Sequence, residues 1–493
     1  MSIIWLILIP LLTALLIPIL NSYNKTLRNR FIILSAGLEL GLAIFIFAFS
    51  FFSLKQDDLF LVYNLGNRSP FLTLNIALDS LGLIFVIMVA LALFLIIIYS
   101  VTSREIKNEK EVSFYVLLFL VLSMMQGAVV TGNILNLFLF FEFMTVVSSP
   151  LIAYKLTQIS TEAALKYLIY GLIGGIFFLL GIIFIWFNLN TLNMIEVANN
   201  FNQINFDIQI TIIVCILLGL LIKLGIFPFH FWIPLAHSAC PASISALLSG
   251  VILEVYLYIF ARMFWYVIDF SILQQLGLGH FLLYLGLFSS MIGHIFALQA
   301  DNVKRMLAFS SIGNIGIIVS VFSLNTELGL YAGLLHIISH LLMKSALFTG
   351  TGYLLKYSSG YNINDFKGVA YKQIGVFISC IMAMLGMIGL PPLIGFMSKW
   401  YILLAFLEEN NYTGIFIVIV GSLISVIYYF RYVFSGFENI SNKDKIESDS
   451  RDFYQKKVAV LSIYVFVFFI VFSGIFIKVL DIPLKAAINV LTG

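Results

Sequence analysis

The chain has 493 residues, of which 61% are hydrophobic and only 10% charged, with a mean hydropathy of +1.06. No soluble fold of this size tolerates that composition, so the chain is read as an all-α polytopic membrane protein. A net charge of +3 excludes the concentrated basic surface of a nucleic-acid binder, and the scattered Cys215, Cys240 and Cys380, with no CxxC spacing, argue against an iron–sulfur or zinc site.

A bilayer core of roughly 30 Å takes about 20 apolar residues per helix. The runs that qualify are 3–20, 31–54, 79–101, 112–131, 133–154, 162–187, 206–227, 241–265, 276–299, 303–324, 327–355, 374–407, 413–434 and 457–480, fourteen spans in a single membrane domain. The first lacks a basic leader and a small-residue cleavage site, and reads as a span rather than a signal peptide. With span 1 starting outside, the cytoplasmic connections hold eighteen basic residues and the outer connections and C-terminal tail hold five. That bias places both termini outside, in a cell membrane.

Four lysines are left inside spans: Lys166, Lys223, Lys344 and Lys399. Glu39, Glu142 and Glu254 lie within spans 2, 5 and 8, and Asp79 at the outer mouth of span 3. Charges at such depth are costly and need partners or a task. Glu142, in LFLFFEFM, has apolar residues for five positions before it, and pairing it with Lys223 resolves two costs at once. Such a pair serves either as a static bridge or as a switch in which separation makes the lysine release its proton. Glu162 and Lys166, i and i+4 at the start of span 6, fit a helix-end pair or a relay. Glu39, on a flank helix with no evident partner, is expected to meet another subunit or water.

The most polar stretch follows Lys223. His230, Trp232, Pro234, His237 and Pro241, after Pro228, interrupt the helix while it is still within the membrane. Non-helical backbone at that depth survives where protein or a watery cavity covers it. Span 11 places His336, His340 and Lys344 at i, i+4 and i+8, one polar stripe. It suits proton transfer, and equally a pair of core histidines beside a structurally paired lysine. Lys399 follows a second break, GLPPLIGFMSKW, where it either serves a relay or snorkels to an interface. Asp301, Asn302, Lys304 and Arg305 read as a cytoplasmic loop anchor. Spans 4–8 and 9–13 each carry a lysine on their third helix and a Pro-broken, lysine-bearing fourth, starting on opposite sides of the membrane. That order fits two inverted five-helix repeats, over 112–265 and 276–434, between N-terminal helices in 1–111 and a last helix over 457–480.

KLGIFPFHFWIPLAHSACPASISALLSG resembles the signature K-x-G-x-x-P-x-H-x-W-L-P-x-A-H of the antiporter-like subunits shared by respiratory complex I, Mrp-type sodium/proton antiporters and membrane-bound energy-converting hydrogenases. Ile233 replaces the usual leucine and Cys240 the usual alanine. HIISHLLMKSALF, DNVKRMLAFSSIGNIGI and GLPPLIGFMSKW match further family segments in family order, and the first signature with FFEFM looks closer to the hydrogenase and complex I relatives. The resemblance implies a fourteen-helix fold with broken helices 7 and 12, and a chain of buried charges. It implies proton-transfer roles for Glu142, Lys223, His336, His340, Lys344 and Lys399, with His230, His237, Glu254 and Lys166 as further relay candidates. Glu254 departs from the family, many of whose members carry lysine in that neighbourhood of helix 8. The expected function is ion translocation, of protons or sodium, by a subunit with no cofactor and no redox chemistry of its own, beside other membrane subunits and a hydrogenase-like or quinone-reducing arm. A sodium/proton exchanger without a redox partner and a non-transporting scaffold are the alternatives.

Overall fold

The computed structural model describes residues 3–53, 61–65, 74–106, 110–438 and 453–492. Lys55, Arg68, Lys107, Lys443, Lys445 and Arg451, which enter the charge count, lie outside them. Among the described residues, thirteen helices are long and apolar enough to cross a membrane. In chain order the helices that matter are α1 (Trp5–Tyr23), α2 (Lys25–Ser53), α3 (Ser80–Ser103), α4 (Glu111–Val130), α5 (Ile134–Ile152) and α6 (Gln158–Leu189). Then come α7a (Phe206–Leu224) and α7b (Trp232–Ala239), α8 (Ala242–Val267), α9 (Leu278–Gln299), α10 (Val303–Phe322) and α11 (Glu327–Leu354). The predicted span 374–407 is two shorter helices, α12a (Ile374–Ile388) and α12b (Ile394–Glu408), followed by α13 (Tyr412–Phe437), α14 (Phe453–Ile475) and α15 (Lys478–Thr492). The one sheet among the described residues, β1 (Leu61–Leu65) paired antiparallel with β2 (Leu74–Leu78), falls in the connection between α2 and α3 and was not foreseen.

Both interruptions have a local cause. α7a ends at Gly225 (φ 64°) and α12a at Gly389 (φ 95°), left-handed conformations that L side chains avoid, and Pro228, Pro391 and Pro392 then supply no N–H to continue a helix. The freed backbone at the first break is partly satisfied from within, because the Trp232 indole N–H donates to the Ile222 carbonyl at 3.1 Å.

Helices in lipid gain no hydrophobic energy from touching one another, so close contact relies on small residues. α6 and α7a meet through Gly174 and Gly219, and a Cβ added at Gly219 would lie 2.6 Å from the Gly174 carbonyl oxygen. α8 and α11 are buried throughout their apolar stretches and α10 almost so, whereas α1, α2 and α13 turn most of theirs outward. The centre of the bundle is therefore α8, α10 and α11, and α8 is not a regular helix: Leu248–Ile252 and Arg262–Val267 are π-helical turns, the first ending just before Glu254.

Two short connections are tied in the same way. Asn133, capping α5, forms a bridge with Asn193 beyond α6, with Ile134 N–H bonded to Leu192 O and Met194 N–H to Gly132 O, each at 2.9 Å. Asn302, capping α10, forms a bridge with Asn362 beyond α11, with Val303 N–H bonded to Tyr361 O at 3.0 Å and Ile363 N–H to Asp301 O at 2.8 Å.

Candidate functional site

The buried charges resolve into a series of contacts that begins at the first helix break. Lys223, in the last turn of α7a, donates to Glu142 Oε1 of α5 at 2.5 Å and to Thr145 Oγ1 at 2.9 Å. Its ammonium also stands 3.8 Å from the centroid of the Phe141 ring. The pairing expected from the sequence is thus present, with Lys223 buried and the Glu142 side chain 15% exposed. Thr145 passes the contact on to the Tyr256 hydroxyl of α8 at 3.1 Å.

Glu254, two residues before Tyr256 on α8, pairs through Oε1 with His340 Nδ1 of α11. Both are fully enclosed, and Glu254 Oε2 and His340 Nε2 have no hydrogen-bond partner among the described residues. One helical turn along, Lys344 donates to the Leu307 carbonyl at 2.7 Å and to Ser310 Oγ, both on α10. In the other direction, His336 Nδ1 meets Ser398 Oγ of α12b at 2.9 Å and its Nε2 meets Asn314 Oδ1 at 3.1 Å. The next residue, Lys399, turns back into the second helix break and donates to the Met387 and Ile388 carbonyls at 2.7 and 3.2 Å, and to Ser422 Oγ of α13 at 2.8 Å. Lysines thus sit against both interruptions, Lys223 in the last turn before the first and Lys399 bonded to carbonyls at the second.

The remaining candidates stand apart. Lys166 is on the surface with its side chain 45% exposed, paired with Glu162 at 2.6 Å. His237 is buried, stacked on Phe348 with ring centroids 5.1 Å apart, and neither ring nitrogen is bonded among the described residues. His230 packs on Phe231 at 4.4 Å, beside a cleft that Lys166 also lines. Glu39 is buried on α2 with neither carboxyl oxygen bonded among the described residues.

Several polar contacts were not anticipated. Arg262, counted among the outer connections, lies inside α8 and grips Asp79 at 2.5 and 2.7 Å, with the Tyr258 hydroxyl at 3.1 Å from the guanidinium. Arg28 is likewise buried, against Glu111. Glu105 accepts from the first N–H groups of α8, Ala242 and Ser243, where the helix dipole favours an anion. His294 of α9 bonds the Tyr428 hydroxyl at 3.2 Å, and Tyr429 reaches the same Ser310 that holds Lys344, at 3.1 Å. The repeated spacing of span 11 drew the eye to His336 and His340, and nothing around His294 marks it.

A polytopic helical membrane protein, with ionisable side chains paired off through its interior and two interrupted helices at the ends of that series, is the class this fold and site define. Known proteins narrow the class. A family model described as NADH:quinone oxidoreductase/Mrp antiporter, TM, matches residues 131–425, and the chain belongs to that family. It is 31% identical over 378 residues to the NADH-quinone oxidoreductase subunit N of Desulforudis audaxviator, covering 75% of this chain and 74% of that protein. It is 29% identical over 448 residues to a Na(+)/H(+) antiporter subunit of Bacillus subtilis, covering 89% of this chain and 87% of that one. Among solved structures, a chain of the membrane-bound sulfane sulfur reductase, an archaeal respiratory membrane complex, superimposes with a TM-score of 0.90 at 26% identity, over 99% of this chain and 97% of that one. A chain of the Mrp complex from Dietzia shares the fold, with a TM-score of 0.85 at 19% identity over 100% and 99%.

Proposed function

We propose that this chain is the ion-translocating subunit of a multi-subunit membrane complex, and that protons pass along the series from Glu142 and Lys223 through Glu254, His340, Lys344 and His336 to Lys399. The observation that carries the reading is the Lys223–Glu142 pair at 2.5 Å, set in the last turn before a helix break. Parting the two leaves each charge uncompensated, and the lysine then loses its proton to the next acceptor. Glu254 supplies that acceptor with His340, and its second oxygen, unbonded among the described residues, leaves room for the proton. The chain itself holds no redox group in this scheme, and the moving force comes from a neighbouring subunit. Relatives drawn both from a respiratory membrane complex and from an antiporter complex support such an assembly, and the bacterial relatives a prokaryotic cell membrane.

We also read 112–265 and 276–434 as inverted repeats within fourteen crossings, flanked by the N-terminal helices of 1–111 and the helix of 457–480. The twin bridges Asn133–Asn193 and Asn302–Asn362 support this, since each joins the start of a repeat's second helix to the end of its third, and the charge pattern puts them on opposite sides.

The test is proton movement in vesicles containing the purified complex. Lys223→Ala should abolish it with the subunits still assembled, and retained pumping would overturn the scheme. A second reading, sodium/proton exchange with no redox partner, is favoured by the match to an antiporter protein along 89% of the chain. Sodium-dependent proton movement without a redox substrate would select it.

A further inference from the structure

A cleft of about 820 Å³ lies between α6, α7b, α9 and α10. It has no part in the series above. Its walls are aromatic, with Tyr170, Phe231, Phe296 and Phe309, and its rim carries Lys166 and Arg305. Asp301 is the one acid in the lining, and Arg431 neutralises it at 3.0 Å. His230 lines the cleft while only 2% exposed, and its Nδ1 has no side-chain hydrogen bond among the described residues. Phe231 is 56% exposed, and the half-exposed Phe288, packed on Phe227 at 5.1 Å, continues the aromatic wall away from the rim. By the basic-residue bias, the rim faces the cytoplasm.

We propose that this cleft binds the headgroup of an acidic phospholipid. A phosphate there accepts a hydrogen bond from His230 and lies between the charges of Lys166 and Arg305, while its acyl chains run along Phe231 and Phe288. Basic pockets between helices on the cytoplasmic side are where anionic headgroups settle. A soluble phosphate would find the charges but make no use of an aromatic wall open to hydrocarbon, which is why the lipid is the occupant the geometry fits. Lys166 is available for this because its pairing with Glu162 is a solvent-exposed one of little strength.

The full chain, carrying benzoylphenylalanine in place of Phe231 and held in its native membrane complex, would be photolysed and its adducts weighed by mass spectrometry. Acidic phospholipid should be captured well above its share of the membrane. Lys166→Gln with Arg305→Gln should cut that capture about thirtyfold, in line with the attraction lost with two basic residues, while Arg305→Lys retains it and all three proteins unfold at the same temperature. Capture of a neighbouring protein chain, or of lipids in bulk proportion whatever the rim charges, would overturn the proposal. So would binding of inorganic phosphate to the chain in nanodiscs of zwitterionic lipid.

Discussion

At the scale of single residues, buried pairs have an asymmetry that tests their roles. Removing one member of a buried ion pair leaves an unpaired charge and costs about 3–5 kcal/mol, whereas replacing both by apolar residues of similar volume is often neutral. Applied to Asp79 and Arg262, whose carboxylate and guanidinium bond each other, with Tyr258 on the guanidinium and the Gly82 N–H on Asp79 Oδ1, this predicts a structural pair. Asp79→Asn should lower stability by several kcal/mol on that scale, the double replacement Asp79→Leu with Arg262→Met should restore most of it, and proton transport should follow stability. For Glu142 and Lys223 the same cycle should come apart. Glu142→Gln with Lys223→Met should recover thermal stability and leave transport abolished, and recovery of transport in that double variant would mean the pair is only structural. Glu142 was legible because it stands in the middle of an apolar run and needs a partner there, and Lys223 because it stands just before the prolines and histidines that interrupt its helix. Asp79 and Arg262 were not, because each stands near the end of its run and reads as a loop residue until the fold brings together two positions 183 apart in sequence.

At the scale of helices, what the sequence conveyed was the placement of the apolar runs, and what it withheld was their shape. The break at 389–393 was readable from its glycine and prolines, yet only the structure shows two helices of 15 residues on either side of it. α15 was read as a tail because its apolar residues are one stripe of an amphipathic helix; Leu484, Ala487, Ile488 and Leu491 pack inward, and Asp481 accepts from Tyr331 at 2.5 Å. The π-helical turns of α8 leave no compositional mark at all. The contact between α6 and α7a carries a prediction of its own, because Lys223 hangs from it. A Cβ at Gly219 would lie 2.6 Å from Gly174 O and 2.9 Å from Phe178 N, both backbone atoms that cannot rotate aside. Gly219→Ala should therefore cost roughly 1–3 kcal/mol by overpacking, displace α7a from α5, and lower transport, while Leu217→Ala two residues away leaves the spacing intact. Thermal unfolding and vesicle assays on the two variants would separate strain at this contact from simple loss of bulk.

At the scale of the molecule, the proposed path and the proposed lipid cleft both depend on which side of the membrane each connection occupies. The charge count gives the answer through many weak contributions, each near 1 kcal/mol per basic residue on the cytoplasmic surface, so it is robust to losing several of them. The six counted residues outside the described structure therefore do not decide it. The prediction can be read with single cysteines, since Cys215 and Cys380 lie within apolar helices, Cys240 lies in the connection between α7b and α8, and Cys240 and Cys380 are buried. Gln158, at the start of α6, and Asn202, in the connection that follows the other end of α6, are both exposed. On intact cells a membrane-impermeant maleimide should label Asn202→Cys and spare Gln158→Cys, which becomes reactive only after permeabilisation. The reverse pattern would invert the molecule. It would place the cleft rim of Lys166 and Arg305 on the outer face, and it would make Lys399 rather than Lys223 the lysine nearer the proton source.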